Sequence, residues 1–236
     1  MRNVVIFGAS GHGSVVLDCI EQENKYSVVG FVDSFKKKGT KINGYEVLGG
    51  EGDLLHIIEK YAIYGGIVAV GDNWQRKQFV ERILEISPDF NFVNVIHPNS
   101  VLGKDISMGI GNAIMPGAII NSNAIIGDFC IINTNAILEH DGLIGNYASL
   151  AQSVTTGGGI RLGDFSAIGL GANISNGVRI GKQTVIGPGS LVIKDQGSFL
   201  ILNGSPAVEI DRRNAGDSYL NIFNTEDYPF PVFTDY

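Results

Sequence analysis

From Ile96 to Val192 the chain is apolar at every sixth position. The series runs Ile96, Leu102, Met108, Ile114, Ile120, Ile126, Ile132, Leu138, Ile144, Leu150, Thr156, Leu162, Ile168, Ile174, Ile180, Ile186 and Val192, and only Thr156 is neither aliphatic nor methionine. Glycine often follows, as at Gly103, Gly127, Gly145 and Gly163, and a small residue often stands four places after the large one, as at Ala118, Ala124, Cys130 and Ala136. A period of six fits neither the ~3.6-residue turn of a helix nor the ~3.5-residue repeat of a coiled coil. As a multiple of two, it lets a strand present the same side inward on every pass. The pattern predicts a β-helix, whose rungs bury their apolar side only against their neighbours.

The first ninety residues follow a different rhythm. Val4–Phe7 is a continuous apolar run, as in a parallel strand buried on both faces. Gly8, Gly11 and Gly13 then form a GxxGxG turn, and the spacing predicts a helix over Ser14–Glu23 and a second strand over Val28–Val32, ending at Asp33. A further helix is expected over 51–61, a third strand over Ile67–Val70, the turn Gly71-Asp72-Asn73, and a helix over 74–86. A glycine turn that opens a helix offers backbone N–H groups to phosphate. An acid at the end of the second strand can accept a ribose hydroxyl. These features leave two readings open, a dinucleotide site and a nucleotide-sugar site. The β-helix that follows, in place of a second catalytic domain, favours the nucleotide sugar. The expected organisation is an α/β Rossmann-like domain (1–92), a β-helix (93–208) and a C-terminal tail (209–236) carrying Tyr219, Phe223, Tyr228, Phe230, Phe233 and Tyr236.

Composition narrows the classes. Apolar residues make up 44% and charged residues 17% of the chain, which is a globular balance. The net charge is −7 with no long basic run, which argues against nucleic acid or an anionic membrane as partner. Cys19 and Cys130 form neither a CxxC pair nor a disulfide framework. No apolar run approaches the ~18 residues of a membrane span, and MRNVVIFGASG breaks into glycines too early for a signal peptide. A soluble, cytoplasmic protein is expected. The repeat holds only His97 and His140, too few for a three-histidine zinc site, so no metal is expected.

Four segments carry a family resemblance: GASGHG at 8–13, VGFVDS at 29–34, AVGDN at 69–73 and INTNAILEHD at 132–141. With the hexapeptide repeat, they make the chain, from roughly residue 2 to 210, resemble the nucleotide-sugar acetyltransferases of bacterial glycan synthesis. These include bacillosamine-pathway N-acetyltransferases, perosamine N-acetyltransferases and a branch named for sialic acid O-acetylation. The resemblance implies a left-handed parallel β-helix of between five and six coils, a homotrimer with sites between subunits, and acetyl-CoA as co-substrate. It also implies His140 as general base, Asp141 raising its basicity, and Asn133 at the same site. Substrate contacts map onto Ser10, Gly11, His12, Asp33, Ser34 and Gly71, and coenzyme A contacts onto Ser149, Gly158, Leu170 and Gly187. Three positions depart from the family pattern. Asp141 stands where the bacillosamine enzymes carry glutamate, Ser149 where they carry histidine, and Val208 where a basic residue is usual. The implied substrate is a UDP-linked 4-amino-4,6-dideoxy sugar. GDP- or dTDP-linked sugars, O-acetylation and a nucleotide-sugar-binding scaffold trimer are the alternatives.

Overall fold

The computed structural model describes residues 1–220. Its N-terminal part contains strands β1 (Arg2–Phe7), β2 (Tyr26–Val32), β3 (Lys41–Ile42), β4 (Tyr45–Gly49) and β5 (Ile63–Val68), ordered β3-β4-β2-β1-β5 in one sheet. β1 pairs parallel with both β2 and β5. Helices α1 (Gly11–Glu23), α2 (Leu54–Tyr61) and α3 (Asn73–Ile86) cover the sheet. The apolar run of β1 is buried on both faces. Val4 and Ile6 pack with Val16, Leu17 and Ile20 of α1, while Val5 and Phe7 pack with Leu54, Ile57, Phe79 and Ile83 of the other two helices.

The elements differ from the sequence reading in three places. α1 begins at Gly11, three residues earlier than expected. β5 spans Ile63–Val68 instead of Ile67–Val70, because Gly65 and Gly66 lie inside the strand and interrupt its apolar pattern. Their missing side chains let Asn91 and Val5 backbone approach closely, and a Cβ at Gly66 would stand 2.6 Å from the Val5 carbonyl oxygen. The hairpin β3–β4 went unanticipated. Asn43 and Gly44 form its turn with φ of 48° and 88°, and an Asn-Gly pair is a strong local signal for such a turn.

The seventeen hexad residues each close one of seventeen two-residue strands, from β6 (Val95–Ile96) to β22 (Leu191–Val192). These stack into three parallel sheets, forming a left-handed parallel β-helix. One coil takes eighteen residues, so Ile114 lies under Ile132 and Ile132 under Leu150. Ile132, Leu138 and Leu150 are completely buried. Each such side chain contributes roughly 1.5–3 kcal/mol of transfer free energy. Leu102 keeps 43% of its surface exposed because it belongs to the first coil, which has a neighbour on one side only. On one corner Phe129, Tyr147 and Phe165 stack at centroid spacings of 5.0 and 5.1 Å. This ladder meets the first domain through Phe92 and Trp74.

β23 (Leu200–Gly204) continues one sheet, and β24 (Ala207–Arg212) folds back antiparallel upon it. β24 therefore runs across the 208/209 boundary expected from sequence. Nor does the chain leave the body of the protein afterwards, since residues up to 220 return to the N-terminal domain at Asp72. Of the tail aromatics, Phe223, Tyr228, Phe230, Phe233 and Tyr236 lie outside the described residues. Among the described residues, no helix is long and apolar enough to cross a membrane.

Candidate active site

His140 occupies the turn between β13 (Ile137–Leu138) and β14 (Leu143–Ile144). The core is served by Leu138 and Ile144, which leaves the turn free to project outward, and the His140 side chain is 62% exposed. Asp141 adopts a left-handed φ of 58°, a conformation that Asp tolerates better than most residues. This brings its Oδ2 to 2.7 Å from His140 Nδ1, so the shorter acid still reaches the ring. Its other oxygen accepts a 3.1 Å hydrogen bond from Asn123 Nδ2. The hydrogen bond from His140, followed by that from Asn123, holds the Asp141 carboxyl below its ordinary range. A carboxylate is an acceptor only, so Nδ1 carries a proton, and in the neutral ring Nε2 keeps its lone pair. The Asp141 hydrogen bond is also the main reason that the His140 pKa is raised.

Two neighbours on the next coil shape this turn. β16 (Thr155–Thr156) pairs with β13 only through Ile137 and Thr155, whereas every other step in this stack keeps two pairs. In place of the missing step, the Glu139 N–H donates to the Thr156 hydroxyl at 3.1 Å. Thr156 is buried, and its one departure from the apolar hexad thus serves the residue next to His140. Gly158 lies directly beneath the imidazole, where a Cβ would stand 2.5 Å from Nε2.

A second locus lies where the two domains meet. A cavity of about 390 Å³ is lined by His12 and Gly71 from the first domain, by Asn133, Ser149, Gln152 and Leu170 from the β-helix, and by Tyr219 and Leu220 from the tail. His12 Nε2 is buried and has no hydrogen-bond partner among the described residues. Burial, followed by the nearby charge of Arg76, lowers its pKa to about 4, so the ring is neutral at pH 7. The floor of the cavity rests on Arg76, which is fully buried and donates to the carbonyls of Val70, Gly71 and Phe129, each at 2.8 Å. It also reaches the Tyr147 carbonyl at 3.0 Å and Asn73 Oδ1 at 2.7 Å. Because these acceptors come from both domains, Arg76 fixes the junction.

The sequence-expected residues divide between the two loci. His140, Asp141 and Gly158 form the exposed corner. His12, Gly71, Asn133, Ser149 and Leu170 meet at the cavity, and Gly187 lies between the lining residues Ile186 and Pro188. Asn133, expected at the same site as His140, sits in the turn before β13, one corner earlier on the prism, where it lines the cavity. The Ser149 hydroxyl is turned into the junction, donating to Asn73 Oδ1 at 2.5 Å. Ser10 and Gly11 are exposed at the start of α1. Asp33 accepts from the backbone of Ala9 at 2.8 Å and of Phe35 at 2.8 Å, so it ties the glycine turn to the end of β2. Ser34 accepts from the Glu51 N–H at 3.3 Å. Cys130 is a buried thiol whose pKa is pushed up to about 12 by desolvation, which suits a packing role. Arg76, Asn73 and Tyr219 were not anticipated as site residues. The AVGDN segment signals Asn73, but nothing local marks the other two.

Residues 3–83 match the family described as the PglD N-terminal domain. A UDP-N-acetylbacillosamine N-acetyltransferase from Bacillus subtilis (strain 168) is 34% identical over 115 residues, which is 47% of this chain and 50% of that relative. The chain therefore matches about half the length of this curated relative. The crystal structure of PerB from Caulobacter crescentus in complex with CoA and GDP-perosamine is 31% identical. It covers 89% of this chain and 98% of its own, with a TM-score of 0.82. A mutant of the perosamine N-acetyltransferase from the same organism, with the same two ligands, gives 30% identity at the same coverage and TM-score. The acetyltransferase domain of PglB from Neisseria gonorrhoeae in complex with acetyl coenzyme A is 26% identical, covers 89% of this chain and 99% of its own, and has a TM-score of 0.80.

Proposed function

The chain belongs to the family of nucleotide-sugar N-acetyltransferases, and we propose that it transfers the acetyl group of acetyl-CoA to the 4-amino group of a UDP-linked 4-amino-4,6-dideoxy sugar. The observation that carries this reading is the His140–Asp141 pair, with Nδ1 held at 2.7 Å by a carboxylate and Nε2 free. Acetyl transfer to an amine requires that the nitrogen lose a proton as it attacks the thioester carbonyl. Nε2 takes that proton, and Asp141 stabilises the imidazolium that forms. The sulfur of coenzyme A leaves as the tetrahedral intermediate collapses. Oxyanion donors are typically worth about 3 kcal/mol each. The UDP-linked sugar in the name of the Bacillus relative supports UDP as the nucleotide, and the GDP-perosamine bound in the Caulobacter structures makes GDP the alternative.

The nucleotide sugar fits the cavity beside His12 and Gly71, with the thioester approaching along Ser149 and Leu170. Within one chain, His140 and this cavity lie on different corners of the β-helix. A trimer in which one subunit's His140 faces a neighbour's cavity joins them, and this geometry supports a homotrimer. Dependence on acetyl-CoA, a cytoplasmic metabolite, supports a cytoplasmic location. The test is a thiol-release assay with acetyl-CoA against UDP-, GDP- and dTDP-linked 4-amino sugars. His140→Ala is expected to cut turnover by about 10²–10⁴-fold, the usual worth of a general base, while sugar binding persists. Full activity in that variant sinks the assignment.

A further inference from the structure

The tail beyond Arg212 lies outside the roughly 2–210 stretch that carries the family resemblance, yet its described part reaches the cavity. Asp72 caps α3 with one carboxylate oxygen, accepting from Trp74 N–H at 3.1 Å and Gln75 N–H at 3.0 Å. Its other oxygen accepts from the Ser218 hydroxyl at 2.8 Å and the Tyr219 N–H at 2.9 Å. Gly216 packs against the Trp74 ring, and its N–H donates to Gln183 Oε1 at 3.3 Å. The buried Arg213 guanidinium donates to the Asp217 carbonyl and closes the segment into a turn. The tail is thus docked by directed bonds to both domains.

Tyr219 is half-buried and, with Leu220, is the part of the tail that lines the cavity. Its hydroxyl donates to the Gly71 carbonyl at 3.1 Å, so the polar end is satisfied in the cavity floor. What remains for the cavity is ring carbon, and Leu220 extends the same wall. Ile131 and Ala167 are among the apolar lining residues supplied by the β-helix. A wall of this kind accepts a methyl group and offers no partner to a hydroxyl held against it, the polar side chains of His12, Asn133 and Gln152 belonging to other lining residues.

We propose that residues 213–220 form part of the acceptor-sugar site, with Tyr219 and Leu220 supplying an apolar wall that selects a 6-deoxy sugar over its 6-hydroxy counterpart. The proposal rests on the nucleotide-sugar acetyltransferase reading above. The test compares wild type, the double variant Tyr219→Ala/Leu220→Ala, and a chain ending at Arg212. Each is assayed with acetyl-CoA and nucleotide-linked 4-amino-4,6-dideoxy and 4-amino-4-deoxy sugars. Wild type is expected to favour the 6-deoxy sugar by about 10- to 100-fold in kcat/KM, the usual reach of an apolar pocket against one hydroxyl. Both altered chains are expected to lose that preference, through KM for the sugar, with KM for acetyl-CoA kept within about twofold. Docking has its own readout, because Trp74 is the chain's single tryptophan. Truncation is expected to shift its fluorescence to the red. An unshifted spectrum, an absent wild-type preference, or a preference intact in both altered chains overturns the proposal. A wild type that acetylates neither sugar sinks the acetyltransferase reading itself and carries this proposal with it.

Discussion

Gly158→Ala tests the role proposed for His140 with a single carbon. The new Cβ would stand 2.5 Å from His140 Nε2, 2.6 Å from Cε1 and 3.1 Å from Cδ2. Comfortable contacts between such atoms begin near ~3.5 Å, so the ring must move by about 1 Å. Gly158 does not adopt a positive φ, so its backbone accepts alanine without strain. All of the conflict therefore falls on the imidazole. The ring is exposed and swings outward cheaply, and the fold has no reason to weaken. Swinging, however, pulls Nδ1 away from Asp141 and moves Nε2 off its line of approach. A misplacement of ~1 Å in a catalytic group commonly costs about 10²-fold in rate. The expectation is a fall in kcat of about that size, read by thiol release at saturating acetyl-CoA and sugar. The thermal midpoint, read by circular dichroism, is expected to stay within about 2 °C, as for surface substitutions of small energetic effect. A rise confined to KM for acetyl-CoA would assign Gly158 to coenzyme A binding alone. A kcat within about threefold of wild type would refute the claim that His140 acts from this position.

Other perturbations separate the remaining claims. Only neutral His140 accepts a proton, and Asp141 raises its pKa, so the acid limb of the kcat/KM profile lies above the ordinary ~6.5; Asp141→Asn is expected to move that limb to lower pH, and an unmoved limb contradicts the pairing. Thr156→Val removes the hydroxyl and returns the Glu139 N–H to the backbone carbonyl used at the other rungs, displacing the turn that carries His140, and is expected to lower kcat about tenfold with both KM values kept, whereas Thr156→Ser keeps the hydroxyl acceptor and the rate; equal losses in the two variants would mark Thr156 as packing only. His12 takes a proton near ~6.5 when unfolded but only near about 4 when folded, so its neutral burial supports the fold fully above ~6.5 and that support is lost as pH falls toward 4. The loss is at most roughly 3 kcal/mol, and His12→Asn is expected to flatten the decline in urea denaturation between pH 7 and pH 4; an unchanged slope would place the titration elsewhere.

The β-helix was legible because its period is a property of the chain alone. Each hexad residue has the same surroundings one coil away, so seventeen repetitions of one local rule become three sheets. Glycine hid what periodicity could not carry. Gly65 and Gly66 look like a break in β5 and are in fact where Val5 and Asn91 backbone come close. His140 was marked by its motif, but its distance to Asp141 depended on the left-handed turn that shortens the reach of the smaller acid. Arg76 was illegible for a different reason. Three of its partners at 2.8 Å are backbone carbonyls, which any residue supplies, so no side-chain pattern announces it. Tyr219 bonds Gly71 across 148 positions, a separation at which local spacing carries no information.

The exception at Thr156 shows how a regular scaffold can hold an irregular task. A perfect rung gives every turn residue the same backbone partner one coil on, and such uniformity gives no turn a special geometry. Replacing one carbonyl acceptor by a hydroxyl removes one pair from the β13–β16 step, which keeps only Ile137 with Thr155. The altered step falls between Leu138 and Glu139, immediately before His140. Two residues further along the same coil, Gly158 removes the atom that would push the imidazole away. Both departures therefore converge on the His140 ring from the coil beneath it. A purely structural role for Thr156 would require no particular alignment with His140. The hydroxyl acceptor and the missing Cβ both fall on the turn that carries His140.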